Sequence, residues 1–228
     1  MNKLALALAA ALVAPAWGAD YLEPEPATYL AFAEQNPDLK EAFDSFVTAR
    51  MIVEPSFQFS YAVLLEQRQG HSFIVSLKFA PEVEDILQRY DEIERFKKEP
   101  PTDDPKITAD YLAELQKDLP PYPKDAKPER CEVEIDRPFA AKLVEAWKAM
   151  LRDVRPKPYD GGLDGTSYHF AVRLDDKTLL GQVSSPGLAT RSGRLVSIGE
   201  MMREYCQSRR DNIIGEADKL IGQPVPKP

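Results

Sequence analysis

Tyr159 to Cys206 reads YDGGLDGTSYHFAVRLDDKTLLGQVSSPGLATRSGRLVSIGEMMREYC. Tyr168, Phe170, Val172 and Leu174 alternate with His169, Ala171 and Arg173. A period of two puts successive side chains on opposite faces of a strand. Asp175-Asp176-Lys177 turns the chain and Thr178 to Ser184 returns it, so the stretch predicts a hairpin with Phe170 and Val172 buried. Asp160-Gly161-Gly162 and Asp164-Gly165 before it are turn formers, because glycine and aspartate tolerate the backbone that tight turns require. After the Ser185-Pro186-Gly187 turn the period changes. From Ser192, read as the N-cap, Leu195, Ile198, Met202, Tyr205 and Cys206 share one helical stripe, which Ile213, Ile214, Ala217, Leu220 and Ile221 continue.

The segments upstream obey the same grammar. Cys131 to Ile135 reads as a short strand, and Asp136 caps a helix whose broad apolar face is Phe139, Leu143, Ala146, Trp147, Met150 and Leu151. Further back, Asn36 followed by Pro37 opens a predicted helix with Leu39, Phe43, Phe46, Val47 and Arg50 on one side, ending before Pro55. Phe57, Phe59, Tyr61, Val63 and Leu65 then alternate with Gln58, Ser60, Ala62 and Glu66. Beyond Gln69-Gly70 the pattern resumes with Phe73, Val75, Leu77 and Phe79. This predicts a second hairpin with one aromatic face, in which Phe59, Tyr61, Val75 and Leu77 are buried together.

Pro81 opens a helix with Val83, Ile86, Leu87, Tyr90 and Ile93 inside and Glu82, Glu84, Asp85, Asp91, Glu92 and Glu94 outside. A further helix starts near Asp104-Pro105 and carries Tyr111, Leu112, Leu115 and Leu119. Prolines crowd between Glu99 and Pro128, where the chain loses donors and favours extended conformations. The sequence thus divides into an N-terminal helix-hairpin-helix part, 20–128, and a C-terminal one, 129–228. Grouped hairpins flanked by amphipathic helices predict an α+β fold, built as two related α-β-β-α units sharing a sheet.

The N-terminus points to export. One lysine, Lys3, precedes an unbroken apolar run of eleven residues, Leu4 to Ala14, and small residues surround Ala16, Gly18 and Ala19. That is the pattern of a signal peptide spanning 1–19, and it is shorter than the about 20 apolar residues a membrane span needs. The mature chain is expected in the periplasm or outside the cell, without stable membrane insertion. Its 228 less 19 residues leave 209, enough for one good core. The formal charge of −8 becomes −9 once Lys3 is removed. Such acidity is unsuited to nucleic acid and better suited to a basic protein partner. The two cysteines, Cys131 and Cys206, are expected to form one disulfide in an oxidising compartment.

Catalytic and metal patterns are sparse. There is no CxxC or HxxxH, and the paired aspartates at 160–164 lack the later ligands of a calcium loop. No phosphate-cradling GK[ST] and no Gly-x-Ser-x-Gly elbow occur, and His71 and His169 are the only histidines. No cofactor is implied. His169 and Arg173 share a strand face that suits an anion or carboxylate. With Asp160, Asp164 and Tyr168 they make up the candidate binding surface; the acidic side of the helix over 82–98 is the competing one.

The residues Gly162-Leu163-Asp164-Gly165-Thr166-Ser167-Tyr168-His169-Phe170, then Ser185-Pro186, then Leu195 to Tyr205-Cys206, resemble a recurring pattern in small exported bacterial proteins of unassigned function. In general character the chain is also similar to periplasmic immunity proteins, which block toxins delivered between bacteria. The resemblance covers about a quarter of the chain and implies no catalytic residues. The leading expectation is a non-catalytic binding or inhibitor protein. The alternatives are an envelope accessory or structural protein and an unrecognised envelope hydrolase.

Overall fold

The structure is a computed structural model, which describes residues 21–25, 37–56, 58, 60–102, 104–156, 165–175 and 177–223. The expected signal peptide, the Asp160–Asp164 loop, Phe57, Phe59 and the proline-rich tail from 224 on lie outside them. Six strands form one sheet: β1 (Val47–Pro55), β2 (Tyr61–Arg68), β3 (His71–Lys78), β4 (Glu129–Ile135), β5 (Thr166–Arg173) and β6 (Thr178–Ser184). Their order is β4-β3-β2-β1-β5-β6, with every neighbouring pair antiparallel. Five α-helices accompany it: α1 (Pro81–Lys98), α2 (Pro105–Gln116), α3 (Arg137–Leu151), α4 (Arg191–Ser208) and α5 (Asp211–Gly222). The fold is α+β, as the sequence predicts.

The predicted helix over 36–54 is not what forms. Only Pro37–Phe43 is helical, as a 3₁₀ turn, and Val47–Pro55 is a central strand hydrogen-bonded to β2 on one side and β5 on the other. The physical reason lies in its burial. Met51, Ile52 and Val53 are each 0–1 % exposed, so both faces need apolar residues and the alternation that marks a half-buried strand is lost.

The second correction is one of facing. Gln69 and Gly70, at φ +50° and +83°, form a two-residue turn with the left-handed backbone that such hairpins favour. Two turn residues pair Arg68 with His71, Leu65 with Ile74 and Leu64 with Val75, so an odd position on β2 faces with an even one on β3. Tyr61, Val63 and Leu65 therefore join Ile74 on one face, whereas Val75 and Leu77 join Ala62 and Leu64 on the other. Tyr61 is not buried with Val75 and Leu77, and Glu66, expected at the surface, is fully buried among arginines.

The first face carries the main core. α3, α4 and α5 pack on it with Trp147, Leu143, Leu195, Ile198 and Met202 against Met51, Val63, Ile74, Phe170 and Val172. Trp147 meets Phe170 edge-on with ring centroids 5.7 Å apart. Asp136 caps α3 through Phe139 N, as expected, but α4 is capped by Thr190 through Gly193 N rather than by Ser192, which is buried. Between α4 and α5 the chain breaks at Arg209, in the left-handed region at φ 57°. On the second face the 3₁₀ turn places Leu39 and Ala42 over Ile52, Leu64, Val75 and Leu77.

Cys131 on β4 and Cys206 on α4 form a disulfide, with Cα atoms 5.9 Å apart, that ties the sheet edge to the helical layer. No other cysteine exists in the chain. The denatured, unreduced protein should therefore show no titratable thiol. Because the bond closes a loop of 75 residues, replacing both cysteines with serine should lower unfolding free energy by about 2–5 kcal/mol, measured by denaturant titration.

Candidate functional site

The second sheet face is covered only in part by the 3₁₀ turn. Towards β6 its exposed floor is set by register: Arg50 lies beside Ala171 and Ala171 beside Leu180, while Arg173 lies beside Thr178 and His169 beside Ile52 and Gln182. A groove of about 330 Å³ runs there, lined by Phe43, Thr48, Arg50, Arg173, Thr178 and Leu180 among others. The Arg50 guanidinium sits 4.0 Å from the Phe43 ring centroid and donates to the Ala42 carbonyl at 3.3 Å. Stacking and that hydrogen bond fix its plane. Arg173 is exposed and has no ion-pair partner among the described residues. Among the described residues, Asp44 is the acidic residue on the groove wall. The Thr48 hydroxyl already donates to the Leu65 carbonyl at 2.9 Å, so the two guanidiniums, with Thr178 beside them and an apolar floor below, are the groups that can receive a carboxylate or another oxyanion.

His169 does not share this exposure. It is 6 % exposed, because residues 21–25 run beside β6, exchanging two backbone hydrogen bonds between Glu23 and Gln182 at 2.7 and 2.9 Å. Leu22 is buried in the main core and its carbonyl accepts from Arg155 N at 2.8 Å. This brings Glu25 Oε1 to 2.8 Å from His169 Nδ1, with Glu54 Oε2 3.2 Å from Nε2. Protonated, the imidazole donates from Nδ1 to Glu25 and lies within ion-pair distance of Glu54. Burial alone would lower its pKa, but the hydrogen bonds and charges of Glu25 and Glu54 outweigh burial and raise it. His169 is therefore a buried clamp on the N-terminal segment, strongest when protonated, rather than a surface residue. Nothing near it in sequence signals this, since Glu25 is 144 positions away.

The remaining expected site residues separate. Tyr168 points to the helical face, where burial and then the nearby Glu200 carboxylate raise its pKa. Beside it Tyr61 donates to Glu200 Oε1 at 2.5 Å, under the Arg203 guanidinium. Asp160 and Asp164 lie outside the described residues, so the loop they occupy is placed only through its end. There Gly165 N donates to Ser56 Oγ at 2.8 Å and Thr166 N to Ser185 Oγ at 3.1 Å. The Gly165 and Ser185 of the GLDGTSYHF-type pattern thus fasten the ends of β1, β5 and β6. A Cβ on Gly165 would sit 2.2 Å from Ser185 Oγ.

The competing acidic surface on α1 is less free than its sequence suggests. Glu84 is buried beside Lys78 at 3.5 Å, and Glu92 and Glu94 pair with Arg95 and Lys97. Among the described residues, no cluster of three or more His, Cys, Asp or Glu side chains could hold a metal, and no helix is long and apolar enough to cross a membrane. No protein-family model matches the chain, and no significantly similar curated protein or solved structure was found.

The clamp has a pH signature. Because folding raises the His169 pKa, its stabilisation is complete below the ordinary histidine value of about 6.5 and is lost as pH rises through the folded value. Thermal melts of the protein and of His169→Gln should differ most at acid pH and converge as the solution is made alkaline. A gap that is constant or grows with pH would mean that the imidazole is buried neutral.

Proposed function

We propose that the chain is an exported, non-catalytic binding protein that grips a partner protein through the open half of its sheet, with Arg50 and Arg173 receiving a carboxylate of that partner. The observation that carries this reading is the pair of guanidiniums over a rigid, partly apolar strand floor. One is locked by Phe43, and the other lacks an ion-pair partner among the described residues. In a chain of net charge −8, two cations lining one groove stand against the prevailing sign. Three strands joined by main-chain ladders hold the residues in place, so little ordering is needed on binding. The disulfide supports export, because such bonds persist in oxidising compartments. Inhibition of a delivered toxin fits this description, the partner then being the toxin.

A partner can be sought by crosslinking in envelope extract and by co-expression with the products of neighbouring genes. Arg173→Glu then provides the test. The residue is exposed, so the melting temperature should stay nearly unchanged, whereas affinity for the partner should fall at least about tenfold, as expected for losing a charged hydrogen bond and gaining a repulsion. Reversal of the exposed Glu82 and Asp85 on α1 serves as the comparison. If that variant loses the partner while Arg173→Glu retains it, the groove is not the contact and the reading is wrong.

A further inference from the structure

A second cavity, of about 570 Å³, lies between the end of β3, α1, the 3₁₀ turn and the segment 122–128. Its deep wall is apolar: Leu77, Phe79 and Leu87 line it and are 2 %, 4 % and 7 % exposed. Three lysines, Lys40, Lys124 and Lys127, line it as well, and all three are exposed. None of the three has an ion-pair partner among the described residues. The two acidic residues on the lining do not balance them, because Glu41 is committed to Arg130 at 2.6 Å and only Asp125 remains.

The outer wall is built rather than loose. Tyr90 of α1 donates to the Pro120 carbonyl at 2.9 Å and meets Tyr122 edge-on at 5.1 Å. Arg89 donates to the Leu115 and Lys117 carbonyls, both at 2.6 Å, and backbone bonds Lys124 N to Tyr122 O and Ala126 N to Pro123 O close the turns at 2.9 and 3.0 Å. The volume lies inside the range of about 300–1,000 Å³ typical of small-molecule sites, which are mostly apolar with a few placed polar groups.

We infer that this cavity is a binding site for a free fatty acid, with the hydrocarbon chain against Leu77, Phe79 and Leu87 and the carboxylate held by the lysines at the mouth. The apolar wall selects a hydrocarbon, and the surplus of ammonium groups selects an anionic head over a neutral or cationic one. A carboxylate is ionised at neutral pH and forms charge-assisted hydrogen bonds with ammonium groups. This site is separate from the arginine groove and does not depend on the role proposed for it.

The test is a titration of the methyl-labelled mature protein with decanoate, decanol and decyltrimethylammonium, read by NMR at Leu77 and Leu87 and by calorimetry. Decanoate should shift both residues and bind at least about tenfold tighter than decanol, with the ammonium amphiphile weakest. Lys124→Glu with Lys127→Glu alters two exposed residues and should leave the melting temperature unchanged. It should remove the preference for decanoate while leaving decanol binding as it was. Absence of shifts at Leu77 and Leu87 below the micelle concentration overturns the inference. So does equal affinity for the three heads, or decanoate binding that the double reversal leaves intact.

Discussion

Strand β1 runs between β2 and β5, and the rest of the fold depends on that pairing. It supplies six register pairs to β2 and seven to β5, so the three-strand unit around the first hairpin and the hairpin of β5 and β6 become one sheet. β4 joins the other edge beside β3, after the proline-rich segment. From β4 the chain returns across the sheet through α3 to β5, and α4 and α5, which follow β6, pack on the same face as α3. A substitution that breaks β1 would part the sheet at its centre, whereas the disulfide only restrains one edge against α4.

What the sequence makes legible follows from this geometry. Elements with one wet face, such as α1, α3 and α4, advertise themselves through period, caps and prolines, and the β5–β6 hairpin through its alternation and turn; they form where expected. β1 is buried on both faces over Met51, Ile52 and Val53, and Leu39, Phe43 and Val47 happen to fall at helical spacing. The stretch therefore reads as a helix although its β-branched Val47, Thr48, Ile52 and Val53 suit a strand. The facing error in the first hairpin has a different origin. Strand positions alternate correctly within β2 and within β3, but the phase between them depends on the turn counting two residues, and Gln69-Gly70 reverses it.

Charged residues were the least legible part of the candidate site. Glu66 and His169 both fall in alternating strands at positions that read as solvent-facing, yet both are buried. Each is tolerated because partners arrive from remote segments. Glu66 accepts from Arg130 at 2.8 and 3.0 Å and lies 3.2 Å from Arg68, with Glu132 bridging the same two arginines. Burial still pushes the Glu66 carboxyl pKa upward, so the guanidiniums do not fully repay desolvation. The lesson is that polarity at an alternating position marks the face of a strand, not its exposure, which is set by whatever else the chain lays over it. For His169 that cover is Leu22 to Glu25, a segment far from it in sequence.

The same logic explains why the strip of sheet at the arginine groove stays uncovered, as the proposed role requires. Helices bury the first face, and the 3₁₀ turn with its Leu39 and Ala42 buries the second face over β1, β2 and β3. Residues 21–25 then close the His169 end, with Glu25 ion-paired to the imidazole, Glu23 bonded to Gln182 and Leu22 anchored in the main core. Between these two covers remains the strip bearing Arg50, Ala171, Arg173, Thr178 and Leu180. An ordinary solvated strand face would carry charges whose side chains move freely. Here Arg50 is immobilised on Phe43 while Arg173 is left without an ion-pair partner among the described residues, so the strip combines a preset direction with an unspent charge. That combination favours recognition over simple solubility, since the entropy of ordering one cation has already been met within the fold.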